Sequence, residues 1–177
     1  MVRERAPRRF RHTGSPAFAQ VWKAPTPGPA LQAALKSAEA GDPAPLTKLA
    51  NGGDANAQYY AGVLYLFGGP KVVKDPAKGC AYEQKASAHR ADAMHLVGLC
   101  YQNGVGGPPD RVKAEAAYTR AAALGFPKSK CALGQMLMTD PAQAPRGLAL
   151  CEESAKAGDA DAQTTVGNAY FSGSAGK

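Results

Sequence analysis

The feature that most constrains the fold is an internal repeat with a step of 36 residues. Four segments share one pattern of small, apolar and aromatic residues, at positions 57–68, 93–104, 129–140 and 162–173. Their glycines, at positions 62, 98, 134 and 167, are separated by 36, 36 and 33 residues. Repeats of this length are typical of solenoids, in which each unit buries its apolar face against its neighbours. The sequence therefore predicts an all-α fold, a right-handed α-α superhelix of antiparallel helix pairs.

Each unit contains two helices, which we term helix A and helix B, joined by a loop. The loops at 68–76 and 104–110 are rich in Gly, Pro and Asp. Asp75 and Asp110 are natural N-caps for helix B, because a carboxylate oxygen accepts hydrogen bonds from free amide groups of the first turn. Pro76 suits the first position of that helix. These residues predict where each helix B begins.

The recurring glycines predict a close contact inside each helix pair. A glycine inside a helix costs about 1 kcal/mol relative to alanine, so its recurrence at one phase requires a packing reason. Tyr82 and Tyr118 are 36 residues apart in helix B, and Cys151 takes this place in the third unit. We expect helix B to approach the glycine face of helix A, with the repeated tyrosine filling the space beside it.

Together these positions resemble the Sel1-like repeat family, a TPR-like class of helical repeats. The resemblance is carried by the segment from Asp54 to Gln58 with Gly62, Tyr65 and Gly68 in helix A, and by Lys113, Ala114, Tyr118, Ala121, Ala122 and Gly125 in helix B. It covers roughly residues 30–173. The third unit departs from it most, because its loop at 139–145 is short and lacks the glycine run. The resemblance implies stacked helix pairs and a scaffold role in protein assemblies.

The repeat divides the chain into six regions. We expect a disordered basic and Pro-rich leader at residues 1–29 and a degenerate first helix pair at 30–56. Three Sel1-like repeats follow at 57–92, 93–128 and 129–161, and a partial repeat with helix A only at 162–177. A solenoid normally ends in a polar capping helix. The partial repeat therefore indicates either that the sequence is part of a longer array, which we favour, or that the exposed face of its last helix meets a partner.

The leader holds most of the net charge of +7. Its six basic residues and one acidic residue give +5 over residues 1–29. Ala17-Phe18-Ala19 fits a signal-peptidase site, but the preceding segment FRHTGSP lacks the apolar core of about 7–15 residues that export requires. We therefore favour a solvated leader and a cytoplasmic location over export. We expect neither specific nucleic-acid binding nor a transmembrane segment.

Four cysteines form two pairs with equal spacing. Cys80 and Cys100 are 20 residues apart, as are Cys131 and Cys151, and each pair is centred on a predicted turn between helices. Residues equidistant from such a turn lie at the same height on two antiparallel helices. Each pair can therefore reach the Cα spacing of about 5.5–6 Å that a disulfide needs. Two alternatives stay open, which are disulfides and small buried thiols.

The sequence offers no catalytic constellation. His89, His95 and Cys100 do not have the spacing of a zinc site. The final segment GSAGK resembles the end of a phosphate loop, but position 171 is Phe where that motif needs Gly. Because the chain has three histidines, general acid–base catalysis has few candidate groups. We expect no enzymatic activity, no metal and no cofactor.

A binding surface is predicted on the helix A faces instead. Residues at the phase i, i+4 and i+7 of each helix A differ between units, whereas the Ala, Gly and Tyr positions stay fixed. We term these residues the stripe. Its candidate partner-binding residues are Tyr59, Val63, Leu66, His95, Leu99, Gln102, Gln135, Met138, Asn168 and Phe171. Cys131 and Thr164 complete the stripe at the same phase but are not candidates for binding. A fixed frame with a varied stripe is typical of a scaffold with a concave binding groove. An alternative stays open for Val63, Leu66 and Leu99, which also suit the core between repeats.

The pattern leads to three functional hypotheses. The first is a scaffold or adaptor that binds a partner protein or peptide on its concave helix A surface. The second, implied by cysteine-rich members of the family that the chain resembles, is a secreted protein that binds or hydrolyses β-lactams or cell-wall-like small molecules. The third is a structural spacer in a longer repeat array. The sequence does not identify the partner.

Overall fold

Short helices follow one another along the chain, and several end at a glycine such as Gly68 or Gly104. The computed structural model describes residues 24–69 and 71–173. Its helices are α1 (Pro29–Glu39), α2 (Ala44–Asn51), α3 (Ala55–Phe67), α4 (Pro76–Ala86), α5 (Ala91–Asn103), α6 (Arg111–Ala123), α7 (Pro127–Leu137), α8 (Ala144–Lys156) and α9 (Ala160–Phe171). Helices α3, α5, α7 and α9 are the helices A, and α4, α6 and α8 are the helices B. The all-α fold is as predicted.

Aspartates at the loop ends begin several of these helices. The carboxylate of Asp75 accepts a hydrogen bond from the Lys78 amide at 3.0 Å, and that of Asp110 accepts one from the Lys113 amide at 2.9 Å. Asp54 caps α3 in the same way. Both predicted caps of helix B are therefore confirmed, and they fix the first residue of α4 and of α6.

The helices stack in chain order to form a solenoid. The most extensive contacts join the members of each A–B pair, which are α3 with α4, α5 with α6, and α7 with α8. Further contacts join each helix B to the next helix A. Because each pair contacts mainly its sequence neighbours, the apolar core runs along the stack. None of the helices in the described part of the chain is long and apolar enough to cross a membrane.

The glycines of three helices A lie against helix B, as predicted. A Cβ added at Gly98 would stand 2.5 Å from the Tyr118 ring. One added at Gly134 would collide with the backbone of Gly147, and Gly147 is equally close to Gly134 in return. No larger side chain fits at these positions without a shift of the helices. The cost of a helical glycine is thus offset by close helix packing.

The sequence predicts Tyr82 and Tyr118 at equivalent positions of helix B, and this prediction is wrong by one residue. Glu83, not Tyr82, lies against Gly62 and so holds the place of Tyr118. Tyr82 instead stacks on Tyr65, with ring centroids 6.1 Å apart, and its hydroxyl donates to Asn51. The physical reason is the loop before α4, which is one residue longer than the loop before α6 and shifts helix B by one position.

The predicted leader falls mostly outside the described residues. The Ala17-Phe18-Ala19 segment lies there, as does all but the first residue of the final GSAGK segment. Within the described part, α1 and α2 form the first helix pair, and α9 is the last helix.

Candidate functional site

The first stripe position of α3 lies in the junction between two repeats. The guanidinium of Arg90 stands 4.2 Å from the centroid of the Tyr59 ring. Arg90 is the N-cap residue of α5 and is only 2% exposed. It forms two hydrogen bonds with the Asp92 carboxylate, at 3.0 and 2.6 Å, and a third with the side-chain oxygen of Asn56. The cation–π contact and the hydrogen bond to Asn56 therefore join the first repeat to the second, beside an ion pair buried within the second.

Glu83 brings a second carboxyl group close to this ion pair. Its side chain is fully buried, and neither carboxyl oxygen has a hydrogen-bond partner in the described part of the chain. Burial raises the pKa of Glu83 to about 9, the Asp92 charge adds to the rise, and Arg90 opposes it. Glu83 is therefore protonated at neutral pH, which avoids a second buried negative charge. Burial also raises the pKa of Tyr59, to about 12.

The equivalent stripe position of α5 lies in the next junction. The ring of Phe126, the N-cap residue of α7, stands 5.3 Å from that of His95. His95 Nδ1 also hydrogen-bonds with the Ser129 hydroxyl at 3.1 Å, and the Tyr118 ring lies 5.3 Å away. Burial lowers the pKa of His95 to about 4, and the charge of Lys128 adds to the decrease. His95 is therefore uncharged at neutral pH.

Sequence reasoning missed Arg90, Asp92 and Glu83. A signal was present, because Arg90 and Phe126 are 36 residues apart at helix starts where capping residues are expected. Each packs on the stripe residue of the preceding helix A, which is Tyr59 or His95. The variation at these two stripe positions thus belongs to contacts between repeats.

Leu66 and Leu99 lie together in an open apolar groove. The groove has a volume of about 240 Å³ and is lined by Leu66, Phe67, Pro76, Leu96, Leu99, Cys100, Asn103 and Val105. Phe67 stands at its rim and is 57% exposed, although the stripe does not include it. The groove is therefore formed by the C-terminal halves of two successive helices A, α3 and α5, with the start of α4.

The other stripe residues have separate surroundings. Val63 is half-buried. The Gln102 side chain accepts a hydrogen bond from the Tyr118 hydroxyl at 2.7 Å, and that of Gln135 donates to Thr165 at 2.9 Å. Met138 packs against Gly147. Thr164, Asn168 and Phe171 are exposed on α9.

The four cysteines are joined in two disulfides. Cys80–Cys100 links α4 to α5, with a Cα separation of 6.0 Å, and so crosses from one repeat to the next. Cys131–Cys151 links α7 to α8 inside one pair, with a Cα separation of 4.1 Å. One bridge therefore fixes a junction and the other fixes a helix pair. No group of three or more His, Cys, Asp or Glu in residues 24–69 and 71–173 is arranged to hold a metal ion.

Comparison with known proteins identifies the repeat. Residues 55–89 and 91–126 match the model of the Sel1 repeat. No curated protein sequence matches the chain. The solved Sel1 repeat protein from Oxalobacter formigenes is 26% identical with a TM-score of 0.63, and the match covers 75% of this chain and 55% of that one.

A second solved structure has the same architecture. It is c5321 of uropathogenic Escherichia coli, a protective antigen displaying an SLR fold, which is 30% identical with a TM-score of 0.58. The match covers 72% of this chain and 28% of that protein. The present chain thus spans about half the length of the first of these proteins and about a quarter of the second.

Proposed function

The chain contains two Sel1 repeats, at residues 55–89 and 91–126, and we propose that it is a scaffold that binds a peptide segment of a partner protein in the groove between α3 and α5. Sel1 repeats generally serve protein interaction. The observation that carries the proposal is the exposed apolar groove in which Leu66 and Leu99 meet beside Phe67. Aromatic and aliphatic anchors in a partly open groove are the usual centre of a peptide-binding site.

The size of the groove favours a peptide side chain over a free ligand. Clefts that hold drug-sized molecules have about 300–1,000 Å³, whereas this groove has about 240 Å³. A partner segment that places one large apolar side chain between Leu66 and Leu99 fits this volume. Cys100 lines the groove, so the Cys80–Cys100 bridge holds α5 against α4 and preorganises the site before binding.

The test is affinity capture with a groove variant beside a matched control. Phe67→Glu places a charge at the groove rim, and Leu124→Glu makes the same change at a residue of similar exposure, 51%, in the turn before α7. Both positions are exposed, so both variants keep the fold, which circular dichroism checks. We expect Phe67→Glu to lose a partner that Leu124→Glu retains. Equal recovery with both variants contradicts the groove and favours the structural spacer.

The two disulfides support a second candidate, binding of a β-lactam or cell-wall-like molecule. Disulfides persist in oxidising compartments, which favours the exported alternative over the cytoplasmic one. A cavity of about 580 Å³ adjoins Cys80 and Cys100, between α4 and the start of α6, and polar side chains from Gln84 and Lys113 line it. Titration with benzylpenicillin tests this candidate. Saturable binding that Lys113→Ala weakens supports it, and no binding at about 1 mM, a free energy of about −4 kcal/mol, rejects it.

A further inference from the structure

A second cavity adjoins the groove between α3 and α5. It has a volume of about 580 Å³ and is lined by Pro43, Tyr65 and residues 71–76, which lead into α4. We term it the loop cleft. Pro76 lines both the groove and the loop cleft. A peptide segment that fills the groove can therefore continue past Pro76 into the loop cleft.

Two lysines of this loop, Lys71 and Lys74, line the loop cleft. The aliphatic part of each side chain lies over a glycine. A Cβ added at Gly41 would stand 2.7 Å from Lys71 Cδ, and one added at Gly68 would stand 2.9 Å from Lys74 Cγ. Gly68 directly follows Phe67, the aromatic residue at the groove rim. The stem of Lys74 is therefore held beside the groove.

These lysines are not paired with an acidic group in the described part of the chain. The ion pairs within residues 24–69 and 71–173 include neither Lys71 nor Lys74. The carboxylate of Asp75 also lines the loop cleft, but it accepts a hydrogen bond from the Lys78 amide. The Lys78 ammonium group stands 3.9 Å from the centroid of the Tyr65 ring, which lines the same cleft. The loop cleft therefore carries net positive charge beside an uncharged, apolar groove.

The loop that carries the lysines has a fixed backbone conformation. The Gly69 amide donates to the Val72 carbonyl at 3.1 Å, and the Val72 amide donates to the Gly69 carbonyl at 3.2 Å. The Asp75 amide donates to the Tyr65 carbonyl at 2.9 Å, and the Val72 side chain is buried in the core. Because these contacts fix the loop before binding, less conformational entropy is lost when a partner contacts it.

The two lysines are not part of the repeated frame. The other loops between helix A and helix B, at 104–110 and 139–145, contain no basic residue. Lys78 and Lys113, by contrast, both lie in the first turn of helix B and recur with the repeat. Since two of the three loops form without such lysines, the solenoid fold does not require Lys71 or Lys74. Their place beside the groove favours a role in binding instead.

We propose that the partner segment of the groove is acidic, an inference that rests on the proposed function and names the chemistry of its partner. One large apolar side chain enters the groove between Leu66 and Leu99, and Asp or Glu residues of the same segment meet Lys71 and Lys74 in the loop cleft. An extended chain advances about 3.3–3.6 Å per residue, so acidic residues about two to four positions from the apolar anchor reach past Pro76. Ion pairs of this kind contribute mainly specificity and a faster association.

Selection from a display library of random linear peptides tests this chemistry without a known partner. The wild-type chain is compared with Phe67→Glu and with Lys71→Glu combined with Lys74→Glu, which we term the loop variant. All three positions are exposed, so the variants keep the fold, which circular dichroism checks. We expect the wild type to select peptides with Asp or Glu near a large apolar residue. The loop variant should retain the apolar residue and lose the acidic ones, whereas Phe67→Glu should lose the apolar residue.

Titration with one selected fluorescent peptide measures the size of the effect. The loop variant should bind it about tenfold more weakly, or by about 1.4 kcal/mol, because two ion pairs are lost and repulsion replaces them. Arg146→Glu combined with Lys156→Glu is the matched control, since it changes the net charge equally at two exposed residues of α8 that line neither cavity. The control should change the affinity by less than about twofold, because distant exposed charges are screened.

Two outcomes overturn the acidic partner and leave the groove in place. One is selection of peptides that share an apolar anchor without enrichment of Asp or Glu. The other is a selected peptide whose affinity changes equally in the loop variant and in the control. Selection that Phe67→Glu does not alter overturns the groove itself and this inference with it, as does failure of the wild type to select any peptide.

Discussion

The two junctions that follow the Sel1 repeats at 55–89 and 91–126 have the same backbone geometry but side chains of different chemistry. In both, the N-cap residue of the later helix A packs on the first stripe residue of the earlier one. At the first junction this pair is Arg90 on Tyr59, and at the second it is Phe126 on His95. The first junction adds a buried ion pair and a disulfide. The second instead has a hydrogen bond between His95 and Ser129 and a half-exposed guanidinium, that of Arg111, which donates to the Met136 carbonyl.

The difference shows what a varied position in a repeat means. Tyr59 and His95 are 36 residues apart and chemically unlike, which is the pattern of a binding stripe. Each is nevertheless matched to a residue of the next repeat that varies with it. Variation in a solenoid is therefore evidence of binding only where the side chain is exposed, as Phe67 is on the groove rim.

Replacing Arg90 should cause the largest loss in the free energy of unfolding among the changes that test this comparison. Arg90→Met leaves the Asp92 carboxylate buried without its cation, and loss of one partner from a buried pair costs about 3–5 kcal/mol. The corresponding change at the second junction, Phe126→Leu, keeps an apolar side chain of similar volume and should cost about 1 kcal/mol. Urea unfolding of both variants measures the difference. Equal losses would contradict the contrast between a charged pair at Arg90 and a neutral pair at Phe126.

The first junction should lose stability as pH rises. Glu83 has a pKa of 4.5 when unfolded and about 9 when folded, so between these values the folded state holds one more proton. Linkage then lowers the free energy of unfolding by about 3 kcal/mol from pH 6 to 8. Glu83→Gln cannot ionise and should lack this loss.

The measurement is the free energy of unfolding of both proteins across that pH range. The difference between wild type and Glu83→Gln isolates the glutamate from other titrating groups. Parallel pH profiles would show that Glu83 is ionised in the folded protein and would contradict the neutral, buried carboxyl.

The second junction should lose stability in acid, by a smaller amount. The folded pKa of His95 is lowered from 6.5 to about 4, so the unfolded state takes up a proton first as pH falls through this window. Because His95 is only partly buried and is screened by solvent, we expect a loss of about 1 kcal/mol from pH 7 to 5. His95→Gln should unfold with a flatter profile over that range. An unchanged acid profile would place His95 in a solvated, chargeable site.

The frame of the fold could be predicted from local sequence signals. Gly98 and Gly134 revealed the helix contacts because a glycine within a helix has few other uses, and Asp75 and Asp110 revealed the helix starts because capping is a local interaction. These residues report their role through their immediate neighbours in the chain.

The residues that pack at the junctions between repeats could not be predicted in the same way. Glu83 takes the place of a tyrosine because a loop is one residue longer, and the fixed step of 36 residues conceals that shift. Arg90 acts through Tyr59, which is 31 residues away, so only the folded register brings them together. The groove at Phe67 and Leu99 likewise depends on how far apart two helices A stand.

The central claim, that the groove between α3 and α5 binds a partner segment, is tested most directly by NMR of methyl-labelled protein. The full chain is titrated with the peptide segment of the partner that Phe67→Glu fails to capture. We predict that the largest shifts fall on the methyl groups of Leu66, Leu96, Leu99 and Val105, which line the groove. Shifts confined to Leu31 and Leu46 in the first helix pair, or no shifts at saturation, would contradict it.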